Sequence, residues 1–167
     1  LVPVGIGTYA VTARIEKGYR AHGNELELDF NLVDAGMARP TVKDADFIGK
    51  AAYLAQRAAG PTAVLCTLTL EDAASKSGVK RYMLGREPIL SRDGKALTDA
   101  HGRRSYVTSA GSGPSVGKHL LMSYLPPDQA VVGTELLVEF LGEQYPVTVA
   151  VAGATPLFDP ENARIRA

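Results

Sequence analysis

Arg14 is the side chain in this sequence best suited to hold a ligand. It stands in Arg14-Ile-Glu-Lys-Gly-Tyr-Arg20, a short basic and acidic run followed by the exit His22-Gly23-Asn24. A guanidinium fork donates two parallel hydrogen bonds, so an arginine beside a cleft can grip a carboxylate or a planar acceptor. Glu16, two positions on, lies on a different helix face and cannot serve as its helical partner. The competing role is a surface ion pair with Glu25, Glu27 or Asp29. Arg164 and Arg166 pose the same alternatives, a ligand grip or a solvated chain end.

Other tempting patterns fail on their chemistry. Gly111-Ser-Gly-Pro-Ser-Val-Gly117-Lys118 lacks the spacing of a phosphate loop: His119 replaces the hydroxyl residue, Pro114 breaks the amide cradle, and a strand pattern follows where a helix should open. Gly5-Ile-Gly7 lacks the third glycine and the preceding strand of a dinucleotide fingerprint. His22, His101 and His119 have no partners at metal-ligand spacing, so no metal site is expected. No strand–Gly-x-Ser-x-Gly–helix unit marks a hydrolase nucleophile, and no catalytic residue is assigned. Cys66 is the single cysteine, which excludes an internal disulfide and a thiolate zinc site and fits a reducing compartment.

Charge narrows the partners. The chain has 18 basic and 18 acidic residues, so no global field draws it to nucleic acid. No basic stripe interleaved with aromatics offers a stacking platform for a single strand. The stretch 76–104 is basic and 119–161 is acidic. Such blocks read either as solvated faces or as a basic rim toward an anionic tail or a partner subunit. No apolar run approaches the roughly 18 residues of a membrane span. The first residue is Leu, which points to a segment of a longer polypeptide.

Two kinds of element would position these residues. Thr8 or Thr12 caps a helix running to about Arg20, with Val11, Ile15 and Tyr19 as a buried stripe on one face and Gly23-Asn24 as its stop. The alternation over 26–30 predicts a short half-buried strand. Asp44 or Asp46 opens a second, alanine-rich helix over about 45–58, closed by Gly60-Pro61. Strands follow: 63–70, then a hairpin of 88–91 and 95–98 across Arg92-Asp-Gly94, then 105–109, 120–124, 135–141 and 145–151. The stretches 99–104 and 110–118 read as loops. The fold class is α+β: a short N-terminal α/β segment followed by a small antiparallel β-barrel. The boundary falls near Gly60, giving portions 1–60 and 61–167.

Six segments recur in an order that resembles the C-terminal part of the folate-binding glycine-cleavage T-protein (aminomethyltransferase) family, in its sarcosine and dimethylglycine dehydrogenase-like branch. They are Arg14 to Arg20, Asp46-Phe-Ile-Gly-Lys50, Gly85-Arg-Glu-Pro-Ile-Leu90, Val107-Thr-Ser-Ala-Gly111, Val116-Gly-Lys118, and Asp159-Pro with Arg164-Ile-Arg166. The resemblance implies that 1–60 ends the middle portion of a folate-binding disc and that 61–167 is its C-terminal barrel. It implies tetrahydrofolate as cofactor, held in part by Arg14 and by Arg164 or Arg166. His22 stands where the family usually has Tyr or Trp, with a weaker stacking role. Ala110 replaces a common glycine, and 99–104 looks like an insertion.

The implied parent is a one-carbon (aminomethyl) transferase or a flavin-dependent dehydrogenase acting on an N-methylated amine such as sarcosine or dimethylglycine. Its catalytic aspartate, and any FAD, would lie outside these residues. The expected partners are the rest of the polypeptide or a partner subunit and the small amine, with neither nucleic acid nor membrane. The expected location is the cytoplasm, or the mitochondrial matrix in a eukaryote. The alternatives are an O- or S-demethylase of the same superfamily, or a non-catalytic scaffold barrel in a multi-subunit oxidase.

Overall fold

A computed structural model describes residues 1–164 and 166; Ile165 and Ala167, which the expected second portion includes, lie outside the described residues. A π-helical turn, Thr8–Ala13, passes directly into α1, Arg14–Glu16, and α2 is Lys50–Ala59. Six strands follow: β1 Val64–Leu70, β2 Ile89–Leu90, β3 Val107–Gly113, β4 Lys118–Leu125, β5 Glu135–Phe140 and β6 Glu143–Ala152. They form one antiparallel sheet in the order β2-β5-β6-β1-β4-β3.

The sheet curls until its two ends meet. The Val107 N–H donates to the Glu87 carbonyl at 2.8 Å and the Ile89 N–H to Ser105 at 3.1 Å, with a bridge between Pro88 and Tyr106. Joining the ends covers backbone groups that an open sheet would leave unpaired. This is the small antiparallel barrel the turn spacing predicts, and α+β describes the chain.

Strand alternation builds two cores. Cys66, Leu68 and Leu70 of β1 face inward with Leu121, Leu136, Val138, Tyr145, Val147 and Val149. The opposite face of β1 and β4 carries Leu65, Leu120, Met122 and Tyr124 and is covered by Ile15, Ala35 and Ala63, with Leu26, Phe30 and Leu157 at the margin. β1 and β4 are therefore buried on both faces, which accounts for their long apolar runs. Gly111 admits the front segment: a Cβ there would stand 3.0 Å from Val11 Cγ1 and 3.2 Å from Ile15 Cδ1. With no side chain at this point of β3, the helical turn descends onto the barrel wall.

Several local expectations change in context. Of the buried stripe expected from Val11, Ile15 and Tyr19 only Ile15 is buried, because the helix stops before Tyr19. The first helix ends at Glu16, not near Arg20, because Gly18 takes a left-handed conformation (φ 65°) one turn before Gly23 can act as the stop. Residues 27–30 form bends and turns and Leu26 makes only an isolated bridge to His22; their alternation finds no strand to pair with, and Phe30 instead stacks on Tyr124 with ring centroids 3.7 Å apart. α2 opens at Lys50 behind Gly49 (φ 88°) with no side-chain cap, so neither Asp44 nor Asp46 starts it. Gly60 closes it as the sequence implies. β3 runs through the glycine-rich stretch to Gly113, which pairs with Lys118, so a hairpin occupies the place of the phosphate-loop look-alike. The Asp-Gly hairpin forms, with Gly94 at φ 77° and the Ser91 N–H on the Lys95 carbonyl at 2.9 Å.

Candidate functional site

The segment from Arg14 to Arg20 is the hub that joins the front of the chain, the barrel and the C-terminal tail. Glu16 accepts from the Ser115 N–H at 2.6 Å and from its hydroxyl at 2.9 Å. These bonds anchor α1 on the β3–β4 turn. Lys17 reaches the tail, 3.3 Å from the Asp159 carboxylate and 3.4 Å from the Phe158 carbonyl, and the Phe158 N–H donates to the Glu16 carbonyl at 3.2 Å. Gly18 faces Pro156, and its position leaves room for that contact.

A cleft of about 720 Å³ opens where these pieces converge. Tyr9, Tyr19 and Phe158 give it aromatic walls, and Arg14, Lys17 and Arg20 give it cationic groups. Its size lies within the range of small-molecule sites, which combine apolar walls with a few placed polar groups.

Arg14 is nearly enclosed, with its side chain 11% exposed. Nε donates to the Ala10 carbonyl at 2.8 Å, Nη1 to Glu25 Oε2 at 3.0 Å and Nη2 to Ser109 Oγ at 2.6 Å. The carboxylate it meets is fully buried and belongs to Glu25, one of the partners considered from the sequence. The pair is thus an interior one on the cleft wall. Arg20 differs in having only carbonyl partners: Ala35 at 2.9 Å, Gly18 at 2.5 Å and Gly153 at 3.2 Å. Burial holds its pKa below the ordinary arginine value, while the nearby Glu25 carboxylate opposes that shift.

The other sequence candidates separate. The Arg164 guanidinium lies over the Phe158 ring at 5.2 Å, and that ring lines the cleft. The structure therefore brings Arg14 and Arg164 to the same neighbourhood across 150 positions of chain. His22 is exposed and is not among the residues lining the cleft; its backbone bridges Leu26. Arg166 is exposed, with its N–H on the Asn162 carbonyl at 3.2 Å.

Four contributors, Tyr9 among them, were not singled out from the sequence. Lys17 and Arg20 sit inside the quoted Arg14 to Arg20 run, and Phe158 immediately precedes the Asp159-Pro motif, so adjacency was the available signal. Their convergence depends on the tail folding back against α1, which no local pattern encodes. Among the described residues no group of three or more His, Cys, Asp or Glu could hold a metal ion. No helix among them is long and apolar enough to cross a membrane.

A curled antiparallel barrel with a helical front segment is an arrangement with known relatives. Residues 65–159 match the glycine cleavage T-protein C-terminal barrel domain, and the chain belongs to that family. It is 33% identical over 165 residues to the mitochondrial dimethylglycine dehydrogenase of Mus musculus, covering 96% of this chain and 17% of that protein. It is 31% identical to the aminomethyltransferase of Koribacter versatilis, covering 83% of this chain and 33% of that protein. Among solved structures, the glycine cleavage system aminomethyltransferase T from Bartonella henselae superposes with a TM-score of 0.68 at 26% identity, over 82% of this chain and 35% of that one. The chain thus spans about a sixth to a third of the length of these relatives.

Proposed function

We propose that this chain forms one wall of a tetrahydrofolate site in an enzyme that takes a one-carbon unit from an N-methylated amine. The observation that carries the reading is the single cleft where the Arg14 to Arg20 segment meets Phe158, with aromatic walls and guanidinium groups together. A flat heteroaromatic ring suits Tyr9, Tyr19 and Phe158. An anionic tail suits Arg20, whose partners are all neutral carbonyls, and Arg164 above Phe158. His22 would contribute only from the margin, and Arg166 through its charge.

When bound, tetrahydrofolate supplies the nitrogen that accepts the one-carbon unit. This chain's part is to bind and orient it, since holding two reactants in a reactive geometry is a large share of such catalysis. The portions 1–60 and 61–167 act jointly, because the cleft is built from both. The carboxylate chemistry, and any flavin, belongs to residues outside this chain.

A second reading has one observation in its favour: Arg14 already has three strong partners inside the protein. A scaffold barrel that binds no folate would use it in that way alone. Titration calorimetry of the intact protein with tetrahydrofolate, wild type against Arg14→Ala, separates the two. The folate reading requires a weakening of roughly tenfold or more, the scale of a lost charge-assisted hydrogen bond. Equal affinities would remove Arg14 from the site and favour the scaffold.

A further inference from the structure

We infer that Glu25 is a positioning residue, whose buried carboxylate aims the Arg14 fork at the cleft and keys it to the barrel. The inference rests on the role given to Arg14 under the proposed function. Glu25 is fully buried, and each of its polar atoms has a partner. Oε2 accepts from Arg14 Nη1 at 3.0 Å and from the Ala21 N–H at 3.0 Å. Oε1 accepts from the Thr108 hydroxyl at 2.7 Å. The Glu25 carbonyl accepts from the Tyr124 hydroxyl at 2.7 Å, and its N–H donates to the Ala21 carbonyl at 3.1 Å.

These partners come from two bodies of the fold. Arg14 and Ala21 belong to the front segment, whereas Thr108 lies on β3 and Tyr124 on β4. Glu25 therefore transmits the barrel's rigidity to a guanidinium carried by a three-residue helical turn. A planar fork held at Nε by the Ala10 carbonyl moves with its own helical turn; beside Glu25, a second fixed point on the barrel locks its orientation. Ser109, next to Thr108, supplies it at Nη2, 2.6 Å away, and Asn24 holds the same hydroxyl at 3.1 Å. The second hydrogen of Nη2 has no acceptor among the described residues and is the fork's uncommitted donor.

Stability alone gives a weak reason for this arrangement. Apolar residues of similar shape commonly stabilise an interior as well as a buried ion pair does. An ion pair on a cleft wall, held at both carboxylate oxygens by groups from different elements, instead fixes a direction.

The test measures tetrahydrofolate affinity by calorimetry in the intact protein for Glu25→Gln and Thr108→Val, each alone and combined with Arg14→Ala. Thr108→Val keeps the ion pair and loses the anchor at Oε1 together with the hydroxyl's 3.1 Å contact to the Met122 carbonyl on β4, so it serves even where Glu25→Gln does not fold. Each single variant should weaken binding by roughly tenfold, as expected for a misaimed contact. Neither should weaken it further once Arg14 is absent. Lower melting temperatures with unchanged affinity, or equal losses with and without Arg14, would overturn the inference. A loss in Arg14→Ala with none in the Glu25 and Thr108 variants overturns this inference alone. Unchanged affinity in Arg14→Ala overturns it together with the proposed function.

Discussion

Replacing Arg103 with alanine should release the front of the chain from the barrel. Arg103 lies in the loop 99–104, yet its side chain makes contacts across the molecule. Nε donates to Asp99 at 2.6 Å, Nη2 to the Thr62 hydroxyl at 2.9 Å, and Nη1 to the Asp29 carbonyl. Its guanidinium lies 4.3 Å from the centroid of Phe30, which stacks in turn on Tyr124. Each lost hydrogen bond is worth about 0.5–1.5 kcal/mol net. A partly desolvated cation–π contact adds about 1 kcal/mol. Nη2 also lies 3.8 Å from the buried carboxylate of Asp34. Some of the loss is recovered, because Asp34 keeps bonds from the Thr62 and Ala63 N–H groups and Asp99 keeps those from the backbone N–H groups of 101 and 103. The net loss should be about 2–4 kcal/mol, or a fall in melting temperature of roughly 5–12 °C for a chain of this size. Urea unfolding followed by circular dichroism gives the energy, and hydrogen exchange at Glu25 and Leu26 gives the location. A change under about 0.5 kcal/mol, the level of ordinary surface substitutions, would refute the idea that this loop latches the front segment. So would unaltered exchange at those amides.

His119 should add a pH dependence to stability. It is half-buried beside Tyr82 with Nε2 3.1 Å from the Met83 carbonyl, and burial holds its pKa below the ordinary 6.5. As pH falls through 6.5 the unfolded chain takes up the proton first, so the stability present above 6.5 declines below it. Urea midpoints for His119→Gln should fall less steeply just below that pH, and parallel curves would exclude the effect. Cys66 is 1% exposed and burial pushes its thiol up to about 12, so a disulfide reagent at neutral pH should label it only in denaturant. Rapid labelling of the native protein would contradict its place in the barrel core. Ile15 is fully buried between the front segment and β4, and Ile15→Ala should cost about 2–5 kcal/mol in urea unfolding. A loss below about 1 kcal/mol would show that α1 is not firmly docked.

The strands and their turns were legible because their signals are local. Arg92-Asp-Gly94 needs only its own backbone preferences to reverse the chain, and the alternation in 145–151 marks its own two faces. The failures fall where a distant residue overrides a local preference. Residues 26–30 alternate as a strand would, but Phe30 finds the Tyr124 ring and the alternation goes unpaired. The first helix ends at Glu16 because the chain turns at Gly18, against the Pro156 of a tail 138 positions away. The loop expected over 110–118 is mostly strand, because β4 offers it a partner ladder.

The sequence by itself determined the barrel, its apolar interior and the presence of an arginine able to act as a grip, since these follow from periodicity, turn chemistry and side-chain type. Only the tertiary structure decided that Arg14 is paired to a buried Glu25, that Phe158 returns to the cleft with Arg164 over its ring, and that His22 lies outside it. Those facts depend on contacts between residues far apart in the chain. Their energies arise only once the barrel has closed and given the front segment and the tail a surface to meet on.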